Sequence, residues 1–199
     1  MLTAYGYSDS GNCYKVKLAL AQLQLPHRWV EVNSVKGETR TKDFLAKNPN
    51  GRVPLLELED GGYLPESNAI LHYLAEGSPL LPADRVGRAR VLQWMFFEQY
   101  SHEPCVAVAR SILRYHPAGS PRRAELPRLM ELGNQALGVM QQHLAAEPFF
   151  AAGKYTVADI ALYAYTHCAA DGGFDLDRFP AVLRWLERVR EQPRHIPLG

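Results

Sequence analysis

The sequence Arg52-Val53-Pro54-Leu55-Leu56, followed closely by Glu66-Ser67-Asn68-Ala69-Ile70, decides the fold of this chain. A strand is predicted over Val53 to Leu58, and the strand that returns beside it is predicted over Tyr63 to Pro65. Between them, Asp60-Gly61-Gly62 is rich in residues that accept a positive φ, as tight hairpin turns require. The stretch is therefore predicted to be a β-hairpin that leads directly into a helix.

Two residues around this hairpin carry more specific information. Proline cannot donate to a strand ladder and is tolerated only at strand starts, edges or bulges, so Pro54 directly before two leucines indicates a special role. After the hairpin, Ser67 precedes apolar residues with helical spacing, namely Ile70, Leu71 and Leu74. Ser67 is therefore predicted to be the N-cap of a short helix.

The residues before the hairpin predict alternating strands and helices. Residues 2–7 predict a strand, the apolar residues after Cys13 recur at helical spacing, and Pro26 ends that helix before a second strand over 27–32. Strand, helix and strand of this length make a βαβ unit with a right-handed crossover. With a further short helix over 41–47, residues 1–77 are predicted to form a thioredoxin-like domain. In such a domain functional groups gather at the first strand–helix turn and beside the proline.

The residue pattern of the sequence changes after residue 77. Residues 78–83 form a proline-containing linker, and residues 84–199 show helical patterns with no further strand pattern. Pro104 is expected to kink or break the first long helical region. Thr156 stands three residues before Asp159 as the N-cap of a very apolar, buried helix. The predicted fold class is therefore α/β plus all-α, with a thioredoxin-like domain over 1–77 and an all-helical domain over 84–199.

The composition is that of an ordinary globular protein. Lys and Arg total 22 against 21 for Asp and Glu, and no basic run suggests nucleic acid or anionic lipid as a partner. No apolar stretch approaches the roughly 20 residues that span a bilayer. The chain begins with a strand-like segment and not a signal peptide, so a cytoplasmic location is expected. The three cysteines, Cys13, Cys105 and Cys168, are odd in number and far apart, which argues against disulfides and a zinc site, and no metal site is predicted.

Four short motifs in this order and spacing resemble the soluble glutathione transferases over essentially the whole length. They are Ser10 three residues before Cys13, the stretch from Asn48 to Pro54, Glu66-Ser67, and the stretch from Thr156 to Asp159. The match is to bacterial, theta- or nu-like members with an N-terminal serine. The resemblance implies an enzyme with glutathione as co-substrate, a cis bond before Pro54, and a folding role for Thr156 and Asp159.

Ser10 is the candidate catalytic residue. A serine before a helix is a common cap, and capping alone is one interpretation. The resemblance implies a second role, in which the hydroxyl donates to the glutathione sulfur and stabilises the thiolate. Tyr5 and Tyr7 are alternatives, because other classes of the family use tyrosine, and Ser8 is a further one. Cys13 would serve a thiol–disulfide reductase, but its place on an apolar helical stripe favours a buried, structural thiol.

The resemblance also implies which residues bind glutathione. Glu66 and Ser67 match the γ-glutamyl end, where a carboxylate beside backbone N–H groups offers partners for an ammonium and a carboxylate. The backbone of Val53, before Pro54, matches the cysteinyl part. Arg40 and Arg52 are candidates for the glycine carboxylate. The acceptor would lie against a helix with aromatic residues, on which His102 has no assigned role.

The leading hypothesis is a glutathione transferase that conjugates glutathione to a small electrophile, in a detoxification role. The alternatives are a non-catalytic module of the same fold, kept for binding or assembly, and a reductase that acts through Cys13. The resemblance also predicts a homodimer, and the aromatic and apolar residues from Trp94 to Phe97 exceed what one helix side needs for its own core.

Overall fold

The computed structural model describes residues 1–198, which form two compact units. The first contains Met1–Pro79 and the described residues from Pro193 onward, and the second is Leu80–Gln192. The helical pattern over 84–199 predicts that the last residues belong to the helical domain. They pack with the first unit instead, because the buried Tyr14 donates its hydroxyl to the Ile196 carbonyl oxygen across 2.6 Å.

The first unit has the thioredoxin-like arrangement that the sequence predicts. Its sheet has the order β2-β1-β3-β4, with β2 parallel to β1 and β3 antiparallel to both β1 and β4. The elements are β1 (Leu2–Gly6), α1 (Gly11–Gln22), β2 (His27–Glu31), α2 (Lys42–Lys47), β3 (Leu55–Glu57), β4 (Tyr63–Pro65) and α3 (Ser67–Ala75).

The central strands and two helices of this unit form its core. Ala4 of β1 and Leu56 of β3 are opposite each other in the ladder and are fully buried. Helices α1 and α3 pack against each other, and their inward faces carry fully buried residues such as Leu18 and Ile70. Each such side chain contributes about 1.5–3 kcal/mol relative to an exposed one. This burial fixes the positions of the two helix N-termini.

Two details of the hairpin region differ from the predictions. The third strand begins at Leu55 and not at Val53, since Pro54 has no N–H to donate to the ladder. Ser67 is the first residue of α3, and the N-cap position belongs to Glu66. The Ser67 hydroxyl therefore does not cap its own helix. It donates to the side-chain oxygen of Asn12 in α1 across 3.3 Å.

The second unit is helical, as predicted. Its helices are α4 (Arg85–Phe97), α5 (Glu103–Tyr115), α6 (Leu126–Ala146), α7 (Val157–Thr166) and α8 (Pro180–Arg190). A π-helical turn over Glu98–His102 separates α4 from α5. Pro104 lies in the first turn of α5, where a residue without an N–H costs little, so the predicted interruption at this proline is confirmed.

The buried helix α7 organises the second unit. All ten of its residues are buried. Thr156 and Asp159 form the predicted capping box, in which each side chain binds the backbone near the other. The Asp159 carboxylate also accepts from the Trp185 indole N–H of α8 across 2.9 Å. Within residues 1–198, no helix is both long enough and apolar enough to cross a bilayer.

Candidate active site

Three connections of the first unit meet at one end of its sheet. Tyr5, near the end of β1, is opposite Leu55 at the start of β3, and Leu55 is in turn opposite Pro65 at the end of β4. The turn after β1, the segment before β3 and the start of α3 therefore lie beside one another. These three places carry Ser10, the Val53-Pro54 bond and Glu66-Ser67, which the sequence analysis selected from separate parts of the chain.

Ser10 is the N-cap of α1, as the sequence predicts. Its backbone is extended, with φ −87° and ψ 123°, and its hydroxyl oxygen accepts the Cys13 N–H across 3.4 Å. Its own N–H donates to the Tyr7 carbonyl oxygen across 2.9 Å, which closes the turn. The hydroxyl is half-buried at the positive end of the helix dipole, where a negative charge is favoured.

Cys13 is fully buried one turn into α1. Burial raises the pKa of its thiol to about 11, and hydrogen bonds from the Ser10 hydroxyl and the Tyr7 N–H only partly oppose this rise. The Tyr7 N–H lies 3.3 Å from the sulfur. Since the thiolate is the reactive form of cysteine, this thiol is poorly suited to nucleophilic chemistry near neutral pH.

Tyr5 is disfavoured as the residue that donates a hydrogen bond to the glutathione thiolate. Its hydroxyl donates to the Glu57 carboxylate across 2.6 Å. Burial and the bond with this carboxylate raise the pKa of Tyr5. Its hydroxyl hydrogen is therefore committed to a partner within the sheet.

Glu31, which is not predicted from the sequence, fixes the turn that carries Ser10. Its carboxylate accepts the Ser8 N–H and the Ser8 hydroxyl, each across 2.8 Å, and the Trp29 indole N–H across 2.9 Å. Burial works to raise the pKa of Glu31, but these donors outweigh it and lower that pKa. Parallel pairing of β1 with β2 places Glu31 opposite Gly6, beside the start of the turn.

The Val53-Pro54 peptide bond is cis, as predicted from the resemblance. The loop before it is held by Asn48, which is buried. The Asn48 side-chain amide donates to the Arg52 carbonyl oxygen across 2.8 Å and accepts the Asn50 N–H across 3.1 Å. Asn48 belongs to the quoted motif, but its bracing role was not predicted from the sequence.

Of the two candidate arginines, Arg52 lies on this loop, whereas Arg40 ends a short 3-10 helix over Glu38–Arg40 and reaches the loop with its side chain. Arg40 donates from Nη1 to the Asn50 carbonyl oxygen across 3.2 Å, and both Arg40 and Arg52 have exposed side chains. Gly51 has φ +60°, and a Cβ at that position would meet the Arg40 guanidinium. Glycine is thus required there, both for the backbone and for the arginine to reach the loop.

Glu66 adopts a backbone conformation that is rare for a residue with a side chain. Its φ is +71° and its ψ is 113°, immediately before α3 begins at Ser67. Such conformations cost about 1–3 kcal/mol and cluster at ligand-binding positions. The exposed Glu66 carboxylate thus lies beside a helix N-terminus, next to the buried Ser67.

Beneath Ser67 lies a residue that the sequence analysis did not select. Lys15 of α1 is 0% exposed. Its ammonium donates to the Ser67 hydroxyl oxygen across 3.4 Å and to the Asn68 side-chain oxygen across 3.5 Å. Together with the bond from Ser67 to Asn12, these contacts join the N-terminal turns of α1 and α3.

Comparison with known proteins identifies the family. The family model for the N-terminal domain of glutathione S-transferase matches residues 5–82, and that for its C-terminal domain matches residues 97–193. This chain belongs to the glutathione S-transferase family. The fold described above, a thioredoxin-like unit and a helical unit, is that of the family.

Three proteins illustrate how similar this chain is to known proteins. A glutathione S-transferase from Pseudomonas fluorescens has a crystal structure with a TM-score of 0.96 and 53% identity, over 99% of this chain and 98% of that one. The transferase URE2P6 of Phanerochaete chrysosporium, solved with oxidized glutathione, has a TM-score of 0.87 and 28% identity, over 97% and 92% of the two chains. The disulfide-bond oxidoreductase YfcG of Escherichia coli is 30% identical over 94% of this chain and 89% of its own.

In this member of the family, His102 is a buried residue of the second unit. Thr166 donates its hydroxyl to the Leu162 carbonyl oxygen across 2.7 Å, so the His102 Nε2, 3.0 Å from that hydroxyl oxygen, must be its donor. A fully buried ring with this bond is not a surface acid or base. Among the described residues, no cluster of His, Cys, Asp and Glu side chains is arranged to hold a metal ion.

Proposed function

We propose that this protein is a glutathione transferase that stabilises the glutathione thiolate with the Ser10 hydroxyl. The observation that carries the proposal is the position of Ser10, at the N-terminus of α1 and at the same sheet end as Val53-Pro54 and Glu66-Ser67. A hydrogen bond to a charged group contributes about 1.5–3 kcal/mol. Bonding of this strength lowers the pKa of a thiol by roughly 1 to 2, which makes thiolate abundant near neutral pH.

The remaining residues of this sheet end would bind the rest of the tripeptide. Glu66 would receive the γ-glutamyl ammonium, and Ser67 with the first turn of α3 would receive its carboxylate. The Val53 backbone before Pro54 would pair with the cysteinyl part. The exposed side chains of Arg52, on the adjacent loop, and Arg40, which donates to that loop, would face the glycine carboxylate. The URE2P6 complex, which holds oxidized glutathione in the same fold, supports this use of the fold.

The reaction would be a nucleophilic substitution or addition at a small electrophile. The thiol proton leaves to solvent, and the sulfur of the thiolate forms a bond to an electrophilic carbon. In a substitution, a leaving group departs with its electron pair. Such chemistry would remove reactive electrophiles, which is the detoxification role expected from the family.

A second candidate reaction is reduction of disulfides, favoured by the similarity to the oxidoreductase YfcG. The attacking group would again be the glutathione thiolate at Ser10. It would form a mixed disulfide with one sulfur of the substrate and release the other as a thiolate. A reductase acting through Cys13 is disfavoured, since that thiol is buried and its pKa is raised. A non-catalytic binding module would bind glutathione and turn over neither class of substrate.

We also propose that the protein is a homodimer. Helix α4 and the π-helical turn after it expose large apolar residues, with Phe96 at 70% and Tyr100 at 87%. Leu92, one turn before Phe96, is exposed as well. Side chains four apart lie on one helix face, so these three form a continuous apolar stripe. A second copy of the chain would cover such a stripe in a closed, symmetric assembly.

The proposed transferase reaction is tested by supplying glutathione together with a panel of electrophiles and, in parallel, a low-molecular-weight disulfide. Conjugation of at least one electrophile, monitored by absorbance, is the expected result. Turnover of the disulfide alone would favour the reductase. Binding of glutathione by calorimetry without turnover of either class would favour the binding module and would contradict the enzymatic proposal.

A further inference from the structure

A cavity within the second unit has no part in the function proposed above. Its volume is about 280 Å³, and all the residues that line it belong to that unit. Helix α4 contributes Arg90 and Trp94 to the lining, and the end of α6 with the loop after it contributes His143, Glu147 and Phe150. The volume lies just below the roughly 300–1,000 Å³ of pockets for drug-sized ligands, so the cavity suits a molecule with a single ring system.

Aromatic rings form the apolar part of this lining. Between centroids, the Trp94 ring lies 4.6 Å from the Phe150 ring and 4.7 Å from the His143 ring. The His143 and Phe150 rings are stacked, with an interplanar angle of 9°. Trp94 and Phe150 are buried, so packing holds their rings in place. A flat and rigid apolar surface favours an aromatic ligand, whose ring can pack against it face-on or edge-on.

Helix α4 supplies the hydrogen-bond donors of the cavity. Arg90 and Trp94 are one helical turn apart, so their side chains lie on the same face of α4. A guanidinium has five N–H donors and an indole has one, and neither group is an acceptor. Within residues 1–198, neither the Arg90 guanidinium nor the Trp94 indole N–H has a hydrogen-bond or ion-pair partner. Both groups are therefore available to bind a carboxylate.

The end of α6 supplies the acceptors. His143 Nε2 lies 3.1 Å from the Phe149 carbonyl oxygen. Because a carbonyl oxygen can only accept, Nε2 carries a hydrogen, and Nδ1 of the neutral ring is an acceptor. Glu147 is one turn further along, where its N–H donates to the His143 carbonyl oxygen across 3.0 Å. The Glu147 carboxylate is exposed and, like His143 Nδ1, has no partner among the described residues.

The cavity thus combines a cation and an anion that do not neutralise each other. The Arg90 guanidinium and the Glu147 carboxylate both line it, yet they form no ion pair with each other. A ligand with only a negative charge would meet the Glu147 carboxylate, and a ligand with only a positive charge would meet Arg90. Encounters between like charges are unfavourable and exclude such ligands. The complementary ligand therefore carries both charges.

We infer that this cavity is a binding site for an aromatic α-amino acid. The ligand carboxylate accepts from the Arg90 guanidinium and the Trp94 indole N–H. The ligand ammonium donates to the Glu147 carboxylate and to His143 Nδ1, and the ligand ring packs against Phe150. This site is separate from the residues proposed to bind glutathione, all of which belong to the first unit.

The inference is tested by titration calorimetry of the full chain with three probes. Phenylalanine carries both charged groups, 3-phenylpropionate lacks the ammonium, and 2-phenylethylamine lacks the carboxylate. Phenylalanine is expected to bind with a dissociation constant of about 1 mM or lower, and each analogue at least about tenfold more weakly. Each titration is repeated with excess glutathione, because a glutathione site would also recognise an amino-acid head group. The affinity for phenylalanine is expected to be the same with and without glutathione.

Two variants assign the two charges. Glu147→Gln is expected to weaken phenylalanine binding about tenfold but not 3-phenylpropionate binding, since that probe no longer meets a like charge. Arg90→Gln is expected to weaken phenylalanine binding about tenfold but not 2-phenylethylamine binding, for the same reason. Both side chains are exposed, so neither change disturbs the core. Glu131→Gln, at an exposed carboxylate within α6, is the matched control and should leave all three affinities unchanged.

Three results would overturn the inference. One is the absence of phenylalanine binding to the wild-type protein. Another is loss of phenylalanine binding when glutathione is added, because the amino acid would then occupy the glutathione site. The third is an equal effect of Glu147→Gln on phenylalanine and 3-phenylpropionate, since recognition of the ammonium would then play no part. The proposed transferase reaction is measured separately with electrophiles, so it stands or fails independently of these results.

Discussion

The backbone N–H of Cys13 donates to the hydroxyl oxygen of Ser10 across 3.4 Å, so one side of that hydroxyl is occupied by the helix it caps. A hydroxyl has two acceptor positions and one hydrogen to donate. The cap therefore orients the Ser10 hydroxyl without consuming its hydrogen. Burial raises the pKa of the nearby Cys13 thiol and the Ser10 side chain works to lower it, so a bound thiolate would draw on the same hydroxyl.

Cys13→Ala distinguishes conjugation by the glutathione thiolate from a reductase reaction through the Cys13 thiol. We expect conjugation with a chlorinated nitroarene to be retained, since the buried Cys13 thiol is protonated near neutral pH and its loss leaves the Ser10 hydroxyl available. Urea unfolding should show a loss of about 1 kcal/mol from the missing buried sulfur. Abolished activity, together with a glutathione adduct on the wild-type chain by mass spectrometry, would mean that Cys13 is the reactive group.

Glu31→Gln tests how far the position of the turn that carries Ser10 depends on the hydrogen bonds to the Glu31 carboxylate. The carboxylate accepts three donors from Ser8 and Trp29, and an amide would present N–H groups to some of them. We expect kcat/KM to fall about tenfold, because small misplacements of a catalytic group are costly. Glu191→Gln, a change at an exposed carboxylate, is the control and should leave kcat/KM unchanged.

The same variant has a distinct pH dependence. The pKa of Glu31 is lowered in the folded state, so its contribution to the free energy of unfolding is present above the unfolded pKa of about 4.3 and is lost as pH falls. The difference in urea midpoint between the wild type and Glu31→Gln should therefore shrink as pH is lowered below about 4. A difference that stays constant with pH would mean that the carboxylate charge is unimportant.

The sequence predicts the site residues whose interactions are local in the chain, and it misses those that act on residues far away in the sequence. Ser10 and Pro54 have short motifs and local chemistry: Ser10 caps α1 as the sequence predicts, and the Val53-Pro54 bond is cis as the resemblance implies, although the strand begins only at Leu55. Glu31 and Lys15 act across strand and helix pairings, through contacts to residues 23 and 52 positions away. Neither residue has a local signal, because an acid at a strand end and a lysine within an amphipathic helix are usually solvated.

At Ser67 the sequence has a clear local signal, but the prediction made from it is wrong. A serine before an apolar helical run is a common cap, so the sequence predicted that its hydroxyl binds its own helix. The unusual backbone of Glu66 shifts the helix start by one residue, and the hydroxyl is left to bind Asn12 and Lys15 instead. A positive φ at a glutamate has no sequence signature, since glycine or asparagine would normally indicate it.

Asp159→Asn tests the folding role assigned to the capping box. The buried carboxylate accepts the Phe150 and Thr156 N–H groups and the Trp185 indole, at 3.1, 2.9 and 2.9 Å. An asparagine would leave part of these donors unpaired, and we expect a loss of about 3 kcal/mol in urea unfolding. Asp177→Asn, at an exposed position of the same unit, should change stability little.

The pH dependence of stability carries a further signature of Asp159. Burial raises its pKa to about 6, above the unfolded value of about 3.9, so the native state binds this proton more tightly. The contribution of Asp159 to the free energy of unfolding should therefore decrease as pH rises between about 4 and 6. This segment of the pH profile should be absent from Asp159→Asn. An identical profile in both proteins would contradict the raised pKa.

Phe96→Glu should weaken self-association if the apolar stripe on α4 is a dimer contact. A charge on each side of a symmetric contact meets its own copy, so the penalty is doubled. Sedimentation at micromolar concentration should show a dimer for the wild type and for Val35→Glu, a control at an exposed valine. A wild-type species of the 22.3 kDa monomer mass would refute the dimer.

The central claim is that the Ser10 hydroxyl stabilises the glutathione thiolate, and titration of the ultraviolet absorbance of bound thiolate against pH tests it most directly. In Ser10→Ala the pKa of the bound thiol should rise by roughly 1 to 2, with glutathione affinity nearly intact if, as proposed, Glu66, Ser67 and Val53 bind the rest of the tripeptide. Turnover near neutral pH should fall accordingly. An unchanged thiol pKa in Ser10→Ala, with full activity, would contradict the account.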